Sequence, residues 1–300
     1  MKTSPILCVL ASLVTFHASA DDIAQGNGMA IPVFLNHFFT VLDIETYGAI
    51  AASDFITREF APHEYRETVR GDRSYAGIYF YGKNTYFEFF DEVSRGPGSK
   101  GFSMLALGVD EAGELAAMQS QLANSYPLTM RQITRGYDDA QIAWFDQVHA
   151  DNARGSPRLG YGAWVMEYDP TFLETWNPES SSDEGVTRSA LLKRYVAVLD
   201  DAPDDPYFED IIGLTFALDP VSLQDSVDLA RAMGYDESRD GDDYLFGGPD
   251  FELRLTPVGD SGRGVREMKM KVYRIPETKE YKLGNSTLLF NDDRTATWSF

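Results

Sequence analysis

The chain has 300 residues, of which 47 are acidic and 26 are basic, so its formal net charge at pH 7 is -21. Such an acidic surface repels phosphate backbones, and nucleic acid is therefore excluded as an expected partner. Hydrophobic residues make up 43% of the chain and charged residues 24%, a composition that excludes a disordered or fibrous protein. The length allows about two globular domains.

The N-terminal segment has the pattern of a secretory signal. Lys2 precedes an apolar run over Ile6–Phe16, and the small residues Ala18-Ser19-Ala20 follow it. We therefore expect residues 1–20 to be removed, the mature chain to be secreted or periplasmic, and no membrane contact to remain afterwards. The single cysteine, Cys8, lies in this segment, so the mature chain is expected to lack thiol catalysis, thiolate metal ligands and disulfides.

Three segments of the chain begin in the same way, with a buried strand that ends at an aspartate and continues into a helical pattern. The three strands are Val33–Leu42 before Asp43, Phe102–Val109 before Asp110, and Ile211–Leu218 before Asp219. An aspartate at such a junction can accept hydrogen bonds from the first free N–H groups of the helix. The sequence thus predicts three helices capped in the same manner.

Shorter strand patterns follow each helix, which gives the order strand, helix, strand, strand, strand. The order is complete twice and compressed once, and a further strand pattern over Gly264–Arg274 begins a truncated fourth unit. The later strands are expected at His63–Val69, Tyr75–Tyr81, Thr85–Phe90, Leu128–Arg135, Gln141–Val148, Gly162–Tyr168, Asp242–Phe246 and Phe251–Thr256. The repeat predicts βαβββ modules.

The predicted fold is α+β, with repeated βαβββ modules paired into a curled mixed sheet around a cavity, a second smaller module and a C-terminal hairpin. Residues 21–169 are expected to form the paired modules, and residues 170–209 a helical and acidic connector. Residues 210–300 are expected to hold the third module, with a hairpin of Tyr281–Phe290 and Thr295–Phe300.

Candidate site residues come from the register of the modules. The position six residues before the three junction aspartates is occupied by His37, Met104 and Gly213. The last strand of each module carries a glutamate in an apolar run, namely Glu88, Glu167 and Glu252. A buried carboxylate is costly unless a partner offsets its charge. Both faces of these strands are apolar, so alternation alone does not decide where the glutamates point.

The segments Leu35-Asn36-His37, Gly77–Tyr81 and Tyr86–Phe89 resemble an uncharacterised glyoxalase-like family of the vicinal-oxygen-chelate superfamily, the group of glyoxalases, bleomycin-resistance proteins and extradiol dioxygenases. The resemblance implies paired modules around a cavity and a divalent metal held by the first and last strands. It assigns the metal ligands to His37, Glu88 and Glu167, with His149 as a possible fourth ligand.

The sequence departs from that pattern at Met104, where a second histidine is expected. One imidazole and two carboxylates suit Zn, Mn, Fe or Ni, but they are not the two-histidine set of oxygen-activating iron enzymes. A ring-cleaving dioxygenase is therefore disfavoured. The resemblance implies a metal-dependent lyase or isomerase that acts on a small oxygen-chelating substrate.

The alternative is a non-catalytic protein of the same fold that binds a small ligand in an aromatic cavity near Phe39, Tyr86 and Trp164. This alternative predicts that the three candidate metal ligands do not converge. Arg131 and Arg135 lie four residues apart on a predicted strand and so share a face. They are candidates for clamping an anionic substrate, and ordinary salt bridges are the alternative for them.

Overall fold

A computed structural model of the protein describes residues 31–70, 73–137, 140–150, 161–180, 185–260 and 262–300. The predicted signal segment, residues 1–20 with Cys8, lies outside the described residues. No helix within these ranges combines the length and the apolar character needed to cross a membrane.

The first half of the chain forms an eight-stranded mixed sheet with the strand order β2-β3-β4-β1-β5-β8-β7-β6. Its strands are β1 (Phe34–Leu42), β2 (His63–Arg70), β3 (Arg73–Tyr81), β4 (Tyr86–Asp91), β5 (Ser103–Gly108), β6 (Leu128–Tyr137), β7 (Ala140–Ala150) and β8 (Tyr161–Tyr168). β1 runs parallel to β4 and antiparallel to β5, while β5 runs parallel to β8. The two predicted modules thus join along β1 and β5 into one sheet.

The second half of the chain repeats this plan in another eight-stranded sheet, with the order β10-β11-β12-β9-β13-β16-β15-β14. Its strands are β9 (Phe208–Leu218), β10 (Asp236–Asp240), β11 (Asp243–Gly247), β12 (Glu252–Pro257), β13 (Gly264–Val272), β14 (Glu280–Leu283), β15 (Ser286–Phe290) and β16 (Thr295–Ser299). The α+β class with paired modules is confirmed. The fourth unit, which the sequence predicts to be truncated, has all four strands, β13 to β16. It lacks the helix of the other units, because no helix lies between its described strands β13 and β14.

The C-terminal hairpin is present as β15 and β16, which pair antiparallel. The strand predicted over Tyr281–Phe290 is split into β14 and β15 because the chain turns at Gly284. This residue has a φ of 63°, a left-handed conformation that favours glycine.

The helices cap the modules and link the two sheets. They are α1 (Ile44–Ala51), α2 (Glu92–Arg95), α3 (Glu114–Leu122), α4 (Pro170–Thr175), α5 (Arg188–Val196) and α6 (Pro220–Ala232), with a π-helical turn over Ile56–Phe60 and a 3-10 turn over Pro178–Ser180. Asp43 accepts a hydrogen bond from the backbone N–H of Thr46 at 2.9 Å. Asp219 accepts hydrogen bonds from the N–H groups of Val221 and Ser222, both at 3.1 Å. These two predicted caps are confirmed.

The third predicted cap is wrong. Helix α3 starts only at Glu114, after Gly113, which has a left-handed φ of 90°. This turn moves the helix away from Asp110, whose carboxylate instead accepts hydrogen bonds from the Arg188 side chain at 3.1 and 3.2 Å. The strand-to-helix junction of the second module therefore serves to hold the connector rather than to start a helix.

The two sheets share a hydrophobic core. The rings of Phe38 and Phe216 lie 6.2 Å apart, those of Tyr161 and Phe216 are 5.1 Å apart, and those of Phe60 and Trp298 are 5.8 Å apart. Burial of so many aromatic rings supplies much of the hydrophobic stabilisation. The opposite face of the first sheet carries His37 and is called the site face below. Part of it is covered by buried side chains of α4 and α5.

Polar contacts also join the two halves of the chain. The carboxylate of Asp210 accepts hydrogen bonds from the backbone N–H groups of Asn84 at 2.7 Å and Thr85 at 2.9 Å. Arg188 on α5 donates to Asp250 at 2.7 Å in addition to its contacts with Asp110. Charge-assisted hydrogen bonds of this kind have a defined geometry, so they fix how the sheets are placed.

Candidate functional site

The site begins at an irregularity in β1. The register between β1 and β5 shifts between Leu35 and His37, so Asn36 is an extra residue in the strand. A bulge of this kind redirects side chains locally. Asn36 and His37 are both buried, and the Oδ1 atom of Asn36 lies 2.8 Å from Nδ1 of His37. Asn36 Oδ1 also accepts a hydrogen bond from the Tyr168 hydroxyl at 3.1 Å.

The imidazole of His37 is neutral. Its ring stacks on Tyr86 with centroids 4.2 Å apart and meets the edge of Trp164 at 5.5 Å. Burial among these groups lowers the pKa of His37 to about 3. Because an amide oxygen can only accept, Nδ1 of His37 carries the hydrogen and Nε2 carries a lone pair.

Glu88 faces this lone pair. It lies on β4, beside Phe39 of β1, and its side chain is 12% exposed. Oε1 of Glu88 is 3.9 Å from Nε2 of His37. This is too far for a direct hydrogen bond, and both atoms are acceptors. The two side chains thus present acceptor atoms to each other without a direct hydrogen bond between them.

Glu167 is not the counterpart of Glu88, although the sequence predicts it to be. Phe39 on β1 and Ala106 on β5 occupy equivalent positions in the two modules, because each lies four residues before the aspartate that follows its strand. Phe39 pairs with Glu88, whereas Ala106 pairs with Trp164. Trp164 therefore occupies the corresponding position on β8. Glu167 lies three residues farther along, and an odd offset in a strand places a side chain on the opposite face.

The carboxylate of Glu167 instead caps α3. It accepts hydrogen bonds from the backbone N–H groups of Gly113 and Leu115, both at 2.9 Å. The structure brings His37 and Glu88 together and places Glu167 elsewhere. Across the described ranges, no three histidine, cysteine, aspartate or glutamate side chains gather as a metal-binding group.

Aromatic side chains surround the His37–Glu88 pair, as the sequence predicts for Phe39, Tyr86 and Trp164. Phe39 and Trp164 are half-buried, and Tyr86 is buried. His149 on β7 lies with its ring centroid 5.8 Å from that of Trp164, so it borders the same aromatic group. Nε1 of Trp164 is buried and has no hydrogen-bond partner among the described residues.

A half-buried cation that the sequence did not indicate lies beside Glu88. The guanidinium of Arg66 lies 3.8 Å from the ring centre of Tyr79 and 3.5 Å from the Glu64 carboxylate. Burial acts to lower the pKa of Arg66, but the neighbouring Tyr79, Tyr81, Glu64 and Glu88 outweigh it and raise that pKa. Arg66 therefore stays charged. Its position within an alternating edge strand gave no signal of this role.

Arg131 and Arg135 do not form the predicted clamp. Arg131 is exposed, whereas Arg135 is buried. The guanidinium of Arg135 lies 5.2 Å from the ring centre of Trp144, 4.7 Å from that of Trp176 and 4.9 Å from that of Tyr195. The two arginines share a strand but occupy different environments, because the connector covers only one of them.

Comparison with known proteins gives a family without an assigned activity. Residues 35–300 match the model of a family of unknown function (DUF5829). No curated protein matches the chain. A hypothetical protein from Staphylococcus aureus has a similar structure, with a TM-score of 0.51, 7% identity, and coverage of 85% of this chain and 97% of that one. A Bacillus subtilis subsp. subtilis str. 168 protein described as a "putative dioxygenase" matches with a TM-score of 0.30, 13% identity, and coverage of 87% and 82%. At 7% identity the first match concerns the fold alone. The second match is too weak, at a TM-score of 0.30, to inform on fold or function.

Proposed function

The chain belongs to this family of unknown function, and from that premise we propose that it binds a small, partly apolar organic molecule that presents a hydroxyl or an amine to His37 and Glu88. The proposal is the non-catalytic alternative of the sequence analysis. It rests on one observation, the two hydrogen-bond acceptors that face each other 3.9 Å apart. An amine placed between them can donate to both acceptor atoms, and a hydroxyl can donate to one of them.

The surroundings of the pair suit the apolar part of such a ligand. Phe39, Met104 and Trp164 are half-buried on the site face, which leaves part of their surface available for contact. Small-molecule sites are commonly built in this way, with apolar walls and a few polar groups that fix the orientation of the ligand. The buried Nε1 of Trp164 adds a donor that an oxygen atom of the ligand would satisfy.

The donor set does not fit the metal that the vicinal-oxygen-chelate resemblance implies. Catalytic zinc sites use three protein ligands, whereas among the described residues only His37 and Glu88 face each other here. Met104 stands where a second histidine is expected, and Glu167 is engaged at the start of α3. The residues present therefore do not fit the implied metal, and the superfamily assignment stays a prediction.

Three probes of similar size test the proposal: benzyl alcohol and benzylamine, which carry a donor, and toluene, which does not. Binding is followed by the NMR shift of the Trp164 indole N–H. Dissociation constants in the millimolar range are expected for ligands this small, at about −0.5 kcal/mol per heavy atom. Glu88→Gln should weaken the two donor probes by roughly fivefold or more and leave toluene unchanged. Glu167→Gln, which alters a glutamate on the opposite face, should bind all three probes as the wild type does.

Two results would overturn the proposal. The first is equal binding of the donor probes by the wild type and by Glu88→Gln. The second comes from titration with Zn²⁺ or Mn²⁺ in the absence of organic ligand. Binding with a dissociation constant below about 1 µM that is lost in both His37→Gln and Glu88→Gln would favour the metal-dependent lyase or isomerase instead.

A further inference from the structure

Arg135 on β6 carries a buried charge for which the described residues provide no ion-pair partner. Its side chain is 4% exposed. A guanidinium remains protonated in proteins, and burial of an unpaired charge is strongly unfavourable. The three aromatic rings of Trp144, Trp176 and Tyr195 surround it at 4.7 to 5.2 Å. Their cation–π contacts offset part of the cost of burial but bring no negative charge.

The same cluster contains three hydrogen-bond donors that are not used. Nη1 of Arg135, Nε1 of Trp144 and the hydroxyl of Tyr195 are all buried, and none of them has a hydrogen-bond partner in the part of the chain that the structure describes. Burial raises the pKa of Tyr195 to about 12, although the nearby Arg135 acts in the opposite direction. The hydroxyl therefore stays protonated and can donate. Buried polar groups nearly always have partners, so three donors without a partner around one cation indicate that an acceptor binds there.

We propose that Arg135, Trp144 and Tyr195 bind one small anion beneath the connector helices. An anion there would neutralise the guanidinium and accept hydrogen bonds from all three donors. Trp176 directly follows α4, and Tyr195 lies on α5. The anion would therefore tie the connector to β6 and β7. This site is separate from the His37–Glu88 pair and does not depend on the function proposed for that pair.

The recognising groups are one cation, one indole N–H and one hydroxyl, and they define the ligand by charge and small size. Chloride and the carboxylate of a small organic acid share this chemistry. Sodium chloride and sodium acetate are therefore the two probes. Each is titrated into the full-length protein in low-salt buffer while the midpoint of thermal unfolding is measured.

The wild-type midpoint should rise with the logarithm of the concentration c of a specific anion once that concentration exceeds the dissociation constant Kd, because a ligand that binds only the native state stabilises it by RT ln(1 + c/Kd). Arg135→Met keeps an apolar chain of similar length and should show only the weak general effect of salt. Trp144→Phe and Tyr195→Phe keep an aromatic ring but lose a donor, so each should raise the apparent dissociation constant by roughly five- to tenfold. Arg131→Met, an exposed arginine on the same strand, is the control and should respond as the wild type does.

A wild-type midpoint that rises with chloride, with acetate or with both by more than that of Arg135→Met supports the site, and the anion that acts at the lower concentration tells an inorganic ion from an organic carboxylate. A wild-type response to neither probe overturns the proposal. So does a response that Trp144→Phe and Tyr195→Phe retain in full, a result that is informative even when Arg135→Met does not fold.

Discussion

Acidification should destabilise the wild type more than a His37→Gln variant. His37 has its pKa lowered to about 3 by burial, against 6.5 for an unhindered histidine. Between these values the unfolded chain takes up a proton at this residue and the folded chain does not. Stability is therefore lost as the pH falls through 6.5, and the loss continues until about pH 3. Glutamine does not titrate, so the variant lacks this contribution.

The size of the effect follows from proton linkage. From pH 7 to pH 5 the unfolded histidine changes from mostly neutral to almost fully protonated, while the folded His37 stays neutral. The differential loss in the free energy of unfolding amounts to about 2 kcal/mol. His37 is only 5% exposed, so solvent does not screen this contribution.

Urea unfolding at pH 7 and pH 5, with a chelator present, measures the effect for the wild type and for His37→Gln. The wild type should lose about 2 kcal/mol more than the variant between the two values. The imidazole carbon resonances of His37 should also stay constant from pH 8 to pH 5. Equal losses in the two proteins, or a titration of these resonances near pH 6.5, would refute the account of a neutral, desolvated imidazole.

Three further predictions concern the helices and the N-terminus. Glu167→Ala removes two hydrogen bonds to the start of α3 and should lower the free energy of unfolding in urea by about 1–2 kcal/mol, whereas the exposed Glu252 should tolerate the same change within about 0.5 kcal/mol. Asp219 accepts hydrogen bonds from Ser222 and Val221, which outweigh the effect of burial and lower the pKa of its carboxyl. The wild type should therefore exceed Asp219→Asn in free energy of unfolding by the full amount at neutral pH, and this difference should shrink as the pH falls below about 4. A difference that does not change with pH contradicts this. Mass spectrometry of the exported protein should find an N-terminus at or near Asp21, and retention of residues 1–20 would refute the signal.

The repeated modules could be predicted because their signal is long in the sequence. A strand, an aspartate and a helical pattern recur three times, and the pairing of β1 with β5 follows from joining two such modules. The face of a single glutamate could not be predicted in this way. β8 has buried apolar residues on both faces, so Trp164 and Glu167 fit the pattern equally well, and only the pairing of Ala106 with Trp164 decides between them.

The remaining features of the site depend on contacts that are distant in sequence. The bulge at Asn36 appears only when β1 is paired with β5. The connector could be predicted to be helical, but its position over the site face depends on tertiary packing of residues such as Tyr195. The aromatic group near Phe39 and Trp164 could be anticipated because large rings cluster on strands that must pair.

The connector makes the two halves of the molecule inseparable, even though each half contains a complete sheet. A fragment that ends at residue 169 would expose to water the rings of Tyr81 and Trp144, which pack against Tyr195 of α5 and Phe172 of α4. A fragment that ends after the connector would keep that cover, but Arg188 would lack Asp250 and the rings facing the second sheet would be bare. Each piece would therefore aggregate alone, and the two pieces would refold only when mixed, as partners in fragment complementation.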